Sequence, residues 1–256
     1  TVMKTIEYPL LALTLIEDEC TRIMAPVLMG GLPNIGVCKS MPRSLVYGPL
    51  KYQGLDIHNL YTTQGLSHIK GILNHIWQGT TTGKLLKTSL EFAKIEVGIV
   101  GSYFNNDYKV YGHLGEDTWI KHLWKFLFDT GIQLDDITSD FKMVREGDSP
   151  LSERFAEAFI QGKITKSEWK KANICRIYLK VLSVGDIASG DGQSIDGRIH
   201  KGKLLLSRAR DIDWPVQGRP KQTDWYVWNK VLKASLLTPG GYLTYPVGRW
   251  LSNLEN

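Results

Sequence analysis

The chain has 256 residues, of which 43% are hydrophobic, and a net charge of +5, the composition of an ordinary globular protein. No apolar run approaches the ~20 residues that span a bilayer, so we expect no membrane contact. Three cysteines, Cys20, Cys38 and Cys175, are too few and too widely spaced for a disulfide scaffold. They indicate a reducing compartment, and therefore an intracellular protein of the nucleus or cytoplasm.

The charge is unevenly distributed along the chain. Residues 160–256 contain 16 Lys and Arg against 8 Asp and Glu, whereas residues 1–159 contain 15 against 18. A basic segment attracts an acidic partner, most simply nucleic acid. The alternative is a soluble surface with a modest excess of lysine.

Apolar residues recur at helical spacing through most of the chain. The spacing predicts about seven helices, near residues 14–28, 62–78, 82–97, 116–130, 150–161, 165–182 and 223–236. Short strands are predicted only at residues 44–47 and 141–145, and residues 185–202 are predicted to be a loop. The predicted fold class is therefore mainly α, a multi-helix bundle with a few short strands and Gly/Pro-rich loops.

Local signals mark the ends of several of these helices. Residues 14–17 and 165–168 match the capping box, in which Thr and Glu bond reciprocally at a helix start. Ser149-Pro150 is a second kind of start signal. Gly30-Gly31 predicts the end of the first helix.

No complete active site is visible in the sequence. Gly79 to Leu85 falls short of a phosphate-binding loop, because three residues separate its glycines and Leu85 follows the lysine. A helix-to-helix turn with a threonine cap explains it. Leu134-Asp135-Asp136 is the only adjacent aspartate pair, and a solvated loop explains it better than a metal site. His68 and His75 share a helix face without a third ligand. We therefore predict neither a catalytic residue nor a metal ligand.

Two tryptophans, Trp169 and Trp214, lie among cations. The neighbours are Lys166, Lys170 and Lys171 for the first, and Arg208, Arg210 and Arg219 for the second. Such aromatics can stack on bases while the cations neutralise phosphates. They can equally be core residues covered by the stems of Lys and Arg side chains. The sequence leaves both interpretations open.

Residues 41–66 hold most of the unusual local sequence, with two prolines, three glycines and three tyrosines. Six short motifs in and before this stretch form a combination: Tyr8-Pro9-Leu10, Cys20-Thr21-Arg22-Ile23-Met24-Ala25-Pro26, Pro42-Arg43, Leu45-Val46-Tyr47-Gly48-Pro49, Gly54-Leu55-Asp56-Ile57 and Leu60-Tyr61-Thr62-Thr63-Gln64-Gly65. The combination resembles the region just downstream of the catalytic palm in reverse transcriptases of eukaryotic retrotransposons, most like the LINE-type enzymes. One departure is Asp56, where that family usually has glycine; aspartate tolerates a positive φ better than most residues.

The resemblance continues to the end of the chain. Its later landmarks are Thr82-Gly83-Lys84-Leu85, Glu96-Val97-Gly98, Arg145-Glu146-Gly147-Asp148, Gly190-Asp191-Gly192, Trp214-Pro215-Val216-Gln217-Gly218-Arg219-Pro220 and Pro246-Val247-Gly248-Arg249-Trp250. It implies a thumb-like helical segment at residues 1–40 and an elbow at 41–61. A helical connection region at 62–238 and an extended tail at 239–256, leading towards a downstream domain, would follow.

The resemblance also implies a role without catalysis. The catalytic aspartates of the family belong to the palm, so Mg²⁺ is expected only there and this chain has no cofactor of its own. The implied partner is the RNA/DNA template–primer duplex, with further contacts to the palm and RNase H-like domains of the parent protein. The expected phosphate contacts are Arg22, Lys39, Arg43, Lys51, Lys166, Lys170, Lys171 and Arg176. The alternative is a structural or protein-interaction scaffold that does not touch nucleic acid.

Overall fold

The computed structural model describes residues 2–134, 138–203 and 212–251. It is mainly helical, with 55% of residues in helix, which confirms the predicted fold class. The α-helices in the described ranges are α1 (Val2–Glu7), α2 (Glu17–Asn34), α3 (Arg43–Val46), α4 (Leu60–Trp77), α5 (Thr81–Val97), α6 (Tyr108–Tyr111), α7 (Trp119–Thr130), α8 (Leu151–Ile160), α9 (Lys166–Leu179), α10 (Val184–Ile187), α11 (Gly197–His200) and α12 (Gln222–Leu236). Short 3-10 helices occupy Tyr8–Leu11 and Leu50–Tyr52.

The chain divides into two compact units. Unit 1 consists of residues 1–84 and 118–127, and unit 2 of residues 85–117 and 128–256. The predicted boundaries between thumb, elbow, connection region and tail concern a parent polymerase and stay predictions. In the described residues, no helix is long and apolar enough to cross a membrane.

The core of unit 1 is built around α2. Its buried side chains recur every four residues, at Cys20, Met24, Leu28 and Leu32. The N-cap is Ile16 and not Thr14 as predicted, and the Glu19 carboxylate accepts a hydrogen bond from the Ile16 N–H (3.0 Å). The predicted end at Gly30-Gly31 is wrong, because the buried stripe continues to Leu32 and the gain from its burial outweighs the low helix propensity of glycine.

The predicted strand at residues 44–47 is also wrong, because this segment forms α3. The cause is local. The carbonyl of Pro42 accepts hydrogen bonds from the N–H groups of Leu45 (3.0 Å) and Val46 (3.1 Å), so a helical turn begins directly after the proline. The predicted strand at 141–145 is reduced to an isolated bridge between Arg145 and Trp250.

Residues 54–57, within the stretch predicted to be an elbow, hydrogen-bond to α3 and to the residues after it. The N–H groups of Leu55, Asp56 and Ile57 donate to the carbonyls of Leu45, Gly48 and Val46 at 2.9, 2.9 and 3.1 Å, respectively. A Cβ on Gly54 would collide with the carbonyl group of Gly48, so only glycine fits there. Asp56 has a φ of +51°, a conformation that favours glycine and that aspartate tolerates.

Unit 2 is organised by α8, α9 and α12, which pack against one another. Phe155 of α8 and Trp228 of α12 are fully buried and meet edge to face, with 6.1 Å between ring centroids. The predicted capping box at the start of α9 is confirmed. The Thr165 N–H donates to the Glu168 carboxylate at 2.8 Å, and the Glu168 N–H donates to the Thr165 hydroxyl at 3.3 Å. The predicted loop at 185–202 contains the short helices α10 and α11.

Candidate nucleic-acid interface

The four cations predicted to contact phosphate in unit 1 are all exposed, but they are not equally free. Arg22 forms an ion pair with Asp18 one helical turn away (3.2 Å), which neutralises part of its charge. The Lys51 ammonium lies over the Tyr52 ring, 4.6 Å from its centroid. Lys39 and Arg43 have no ion pair within the described part of the chain. Unit 1 therefore presents at least two unpaired cations to solvent.

The predicted lysines of unit 2 lie on the outer side of α9. Lys166 and Lys170 are exposed and Lys171 is half-buried. Lys166 and Lys170, four residues apart, are neighbours on one helix face, and Lys171 lies about 100° further round the helix. Trp169 is 1% exposed, packed against the rings of Tyr111, His113 and Phe159. The core interpretation of Trp169 is therefore confirmed, and it cannot stack on a base.

The only acid of α9, Glu168, is already engaged. Its carboxylate pairs with the Lys230 ammonium of α12. The hydrogen bond from Lys230, followed by the one from the Thr165 N–H, lowers the pKa of Glu168 to about 2. The pKa of Lys230 is raised by the same bond. No free carboxylate of α9 itself therefore offsets its lysines.

The neighbouring helix α8 adds no free cation to this surface. Its one basic residue, Arg154, pairs with Glu157 (3.1 Å) and stacks on Tyr245, with 4.2 Å from the guanidinium to the ring centroid. On α12, Tyr226, Lys230 and Lys233 are exposed at spacings of four and three residues, and of the two lysines Lys230 is paired with Glu168. This face was not predicted from the sequence. The signal that could have found it is the polar and aromatic stripe opposite the buried tryptophans of α12.

Arg176 was wrongly predicted to contact phosphate. It is 1% exposed, and its guanidinium donates to the carbonyl groups of Ile95, Glu96 (2.9 Å) and Val181 (3.3 Å). Nε donates to the side-chain oxygen of Asn173 at 2.7 Å. Burial lowers the pKa of Arg176 to about 9, against an opposing effect of Glu96, so the group remains a cation at neutral pH. Arg176 caps the end of α5 and is unavailable to phosphate.

The landmark Glu96-Val97-Gly98 belongs to the same arrangement. Gly98 has a φ of +87°, and a Cβ there would lie 3.1 Å from the Arg176 guanidinium. The Ser152 hydroxyl donates to the Gly98 carbonyl at 2.6 Å. These residues accommodate a buried arginine at a helix end, so their role in this structure is architectural.

A second buried arginine, Arg145, brings together three more of the sequence motifs that carry the resemblance. Its Nε donates to the Gly248 carbonyl (2.7 Å), and its two Nη atoms donate to the carbonyls of Ser189 (2.8 Å) and Gly190 (3.2 Å). The Trp250 ring lies 4.9 Å from the guanidinium. The motifs at residues 145–148, 190–192 and 246–250 thus meet around one cation and anchor the final segment to unit 2.

The described residues hold no group of His, Cys, Asp or Glu that could bind a metal. Asp135 and Asp136 lie outside the described residues. His68 is buried and its Nε2 hydrogen-bonds to the Leu10 carbonyl (3.1 Å), while His75 pairs with the Thr80 hydroxyl (3.2 Å). Burial lowers the pKa of His68. The two histidines therefore have structural partners.

The segment that resembles a phosphate-binding loop is a helix-to-helix turn, as predicted. The Thr80 hydroxyl accepts from the Gly83 N–H (3.0 Å) at the start of α5. A Cβ on Gly83 would collide with the His75 carbonyl, so that glycine serves close packing and not phosphate binding.

A surface pocket of about 390 Å³ lies between the end of α11 and the start of α12, and no motif in the sequence predicted it. Of the cations near Trp214, only Arg219 can be placed, and it lines this pocket. Arg208 and Arg210 lie outside the described residues. Comparison of the chain with protein-family models, with curated proteins and with solved structures finds no match.

Proposed function

We propose that this chain is the non-catalytic C-terminal part of a retroelement RNA-directed DNA polymerase. It grips template–primer nucleic acid and connects the palm to downstream domains. The resemblance of residues 8–65 to the region after the palm supports the family, and the exposed cations support the partner. Such a protein acts inside the cell, in the nucleus or cytoplasm. The catalytic aspartates and their Mg²⁺ belong to the palm.

The observation that carries the proposal is the outer face of α9. Lys166 and Lys170 lie exposed there, with the half-buried Lys171 beside them, and the only acid of that helix is held by Lys230. A helix face of this kind attracts a phosphate backbone without selecting a sequence. Lys39 and Arg43 of unit 1 offer a second group of contacts. The expected binding is therefore salt-sensitive and sequence-tolerant.

The test is a fluorescence anisotropy titration of a labelled RNA–DNA hybrid with the purified chain at low salt. We expect saturable binding that weakens when Lys166 and Lys170 are changed to Gln. The matched control changes Lys70 and Lys87 to Gln, because both are exposed lysines outside the predicted interface. Absence of binding at low salt would refute the proposal. Primer extension by the isolated chain would refute the assignment to a non-catalytic part.

The second candidate function is a scaffold that binds another part of the parent protein. It is favoured by the outer side of α2, where Ile16, Ile23 and Met29 are exposed. A shallow depression of about 360 Å³ lies beside it, lined by Leu15, Glu19, Arg22 and Ile23. Apolar surface of this kind is typical of protein contacts.

A simple experiment distinguishes the two candidate functions. If the scaffold function is right, the chain does not bind the hybrid at low salt. It then associates with a separately expressed palm polypeptide, as measured by light scattering after gel filtration. Changing Ile16, Ile23 and Met29 to Ser would abolish that association. An unchanged association in this variant would rule out the α2 surface as the contact.

A further inference from the structure

The pocket between α11 and α12 has the size of a small-molecule site. Its volume of about 390 Å³ falls in the range of ligand pockets, roughly 300–1,000 Å³. All of its lining residues belong to unit 2, and none is among the predicted phosphate contacts. Its chemistry therefore has to be explained separately from the α9 surface.

The charges of this pocket favour an anion. Arg219 and Lys201 both line it and both are exposed. Within the described part of the chain, neither forms an ion pair and no carboxylate lines the pocket. A guanidinium and an ammonium that line the same pocket suit a phosphate group, which Arg can bind through two parallel hydrogen bonds.

The rings of the pocket favour a flat aromatic group. Tyr226 lines it and is 75% exposed, which leaves most of the ring free to stack. The indole of Trp225 is buried beneath, held against Tyr178 at 5.8 Å between centroids. The backbone of Gly202 approaches this indole so closely that a Cβ would lie 2.8 Å from it. The floor is therefore fixed, while Tyr226 offers a ring to a ligand.

The polar groups of the pocket are partly fixed in orientation. The Asn229 amide nitrogen donates to the His200 carbonyl (3.2 Å), so its Oδ1 faces the His200 ring and accepts from Nδ1–H (2.7 Å). In the neutral ring the proton is thus on Nδ1, and Nε2 is an acceptor. The Gln222 amide, which also lines the pocket, can both donate and accept. Such groups can pair with the edge of a base or with a sugar hydroxyl.

We propose that this pocket binds a nucleotide. Arg219 and Lys201 contact the phosphate, the base stacks on Tyr226, and Gln222 with His200 contacts its polar edge. The nucleotide is either free in solution or one unit of a single strand, since both present the same phosphate and ring. The proposal does not rest on duplex binding, because its residues are different ones.

The test measures binding of three probes to the full chain. Adenosine monophosphate and inorganic phosphate are titrated by calorimetry, and a labelled single-stranded oligonucleotide by anisotropy. We expect the mononucleotide to bind more tightly than phosphate. Tyr226→Ala and Arg219→Gln should each weaken nucleotide binding about tenfold. The control variants Tyr242→Ala and Arg249→Gln change exposed residues outside the pocket and should bind like the unmodified chain.

The titrations of the monophosphate and of the oligonucleotide distinguish a free nucleotide from one unit of a strand. Oligonucleotide binding that is tighter than that of the monophosphate and is weakened by Tyr226→Ala and Arg219→Gln assigns the pocket to a strand, and equal binding assigns it to a free nucleotide. Three results would overturn the proposal. The first is that neither nucleotide probe binds at millimolar concentration. The second is that Arg219→Gln and Tyr226→Ala both bind normally, and the third is that phosphate binds as tightly as the monophosphate.

Discussion

Replacement of Arg176 by Met separates a structural cation from a phosphate contact. Among the described residues, the guanidinium is the only donor to the carbonyls of Ile95 and Val181, and both bonds are buried. A buried acceptor without a donor costs about 1–3 kcal/mol, and two are left in this variant. The charge-assisted bond to the Asn173 side chain is lost as well. We expect the free energy of unfolding to fall by about 3–5 kcal/mol, a large part of the stability of a typical domain.

Urea unfolding followed by tryptophan fluorescence measures this change, since Trp169 lies buried in the same helix. The matched control is Lys170→Met, an exposed lysine of α9, which should change stability by less than about 0.5 kcal/mol. Lys170→Met should instead weaken hybrid binding. If Arg176→Met unfolded at the same urea concentration as the unmodified chain but bound the hybrid more weakly, the assignment of Arg176 as a structural residue would be wrong.

Three further predictions concern the elbow, the α9–α12 ion pair and the thiols. Gly54→Ala places a Cβ against a backbone carbonyl and should destabilise the chain by about 3 kcal/mol. Gly30→Ala, in α2, places a Cβ in open space and should stabilise the chain by about 0.5–1 kcal/mol. Thermal unfolding of the two variants measures both effects. The depressed pKa of Glu168 contributes stability above pH 4.5, and this stability is lost as the pH falls towards 2. Glu168→Gln keeps the helix cap but not the ion pair with Lys230. In acid-unfolding curves, this variant should therefore lose less stability between pH 4.5 and 2 than the unmodified chain. A thiol assay on the folded chain should find one rapidly reacting thiol, Cys38, because it is exposed and its hydrogen bond with the neighbouring serine hydroxyl lowers its pKa. The other two thiols are buried and should react slowly. A rapidly reacting thiol that remains in Cys38→Ser would contradict this.

Local signals in the sequence predicted the parts of the fold that local interactions determine. The capping box at residues 165–168 holds because both of its hydrogen bonds join residues three apart. The mainly α class follows in the same way from apolar spacing within each helix. The end of α2 was mispredicted because Leu32 is buried by other elements of unit 1, and that burial is invisible in the local sequence.

The site depends on contacts between distant residues, and this limited its prediction. Arg176 and Lys170 look alike in the sequence, as cations on one helix. The partners of Arg176 at Ile95 and Glu96 lie about 80 residues earlier, so its burial could not be inferred. The hydrogen bond from Arg145 to the Gly248 carbonyl joins residues 103 positions apart. The pocket of Arg219 and Tyr226 likewise combines two segments that only the fold brings together.

The salt dependence of hybrid binding tests the central claim most directly. The observed association constant of the unmodified chain is measured over a range of salt concentrations and compared with that of Lys166→Gln/Lys170→Gln. If the face of α9 contacts phosphates, the logarithm of the constant falls linearly with the logarithm of salt concentration, and the double variant reduces that slope by about 2. A slope that is the same in both proteins, or binding that does not depend on salt, would contradict the account.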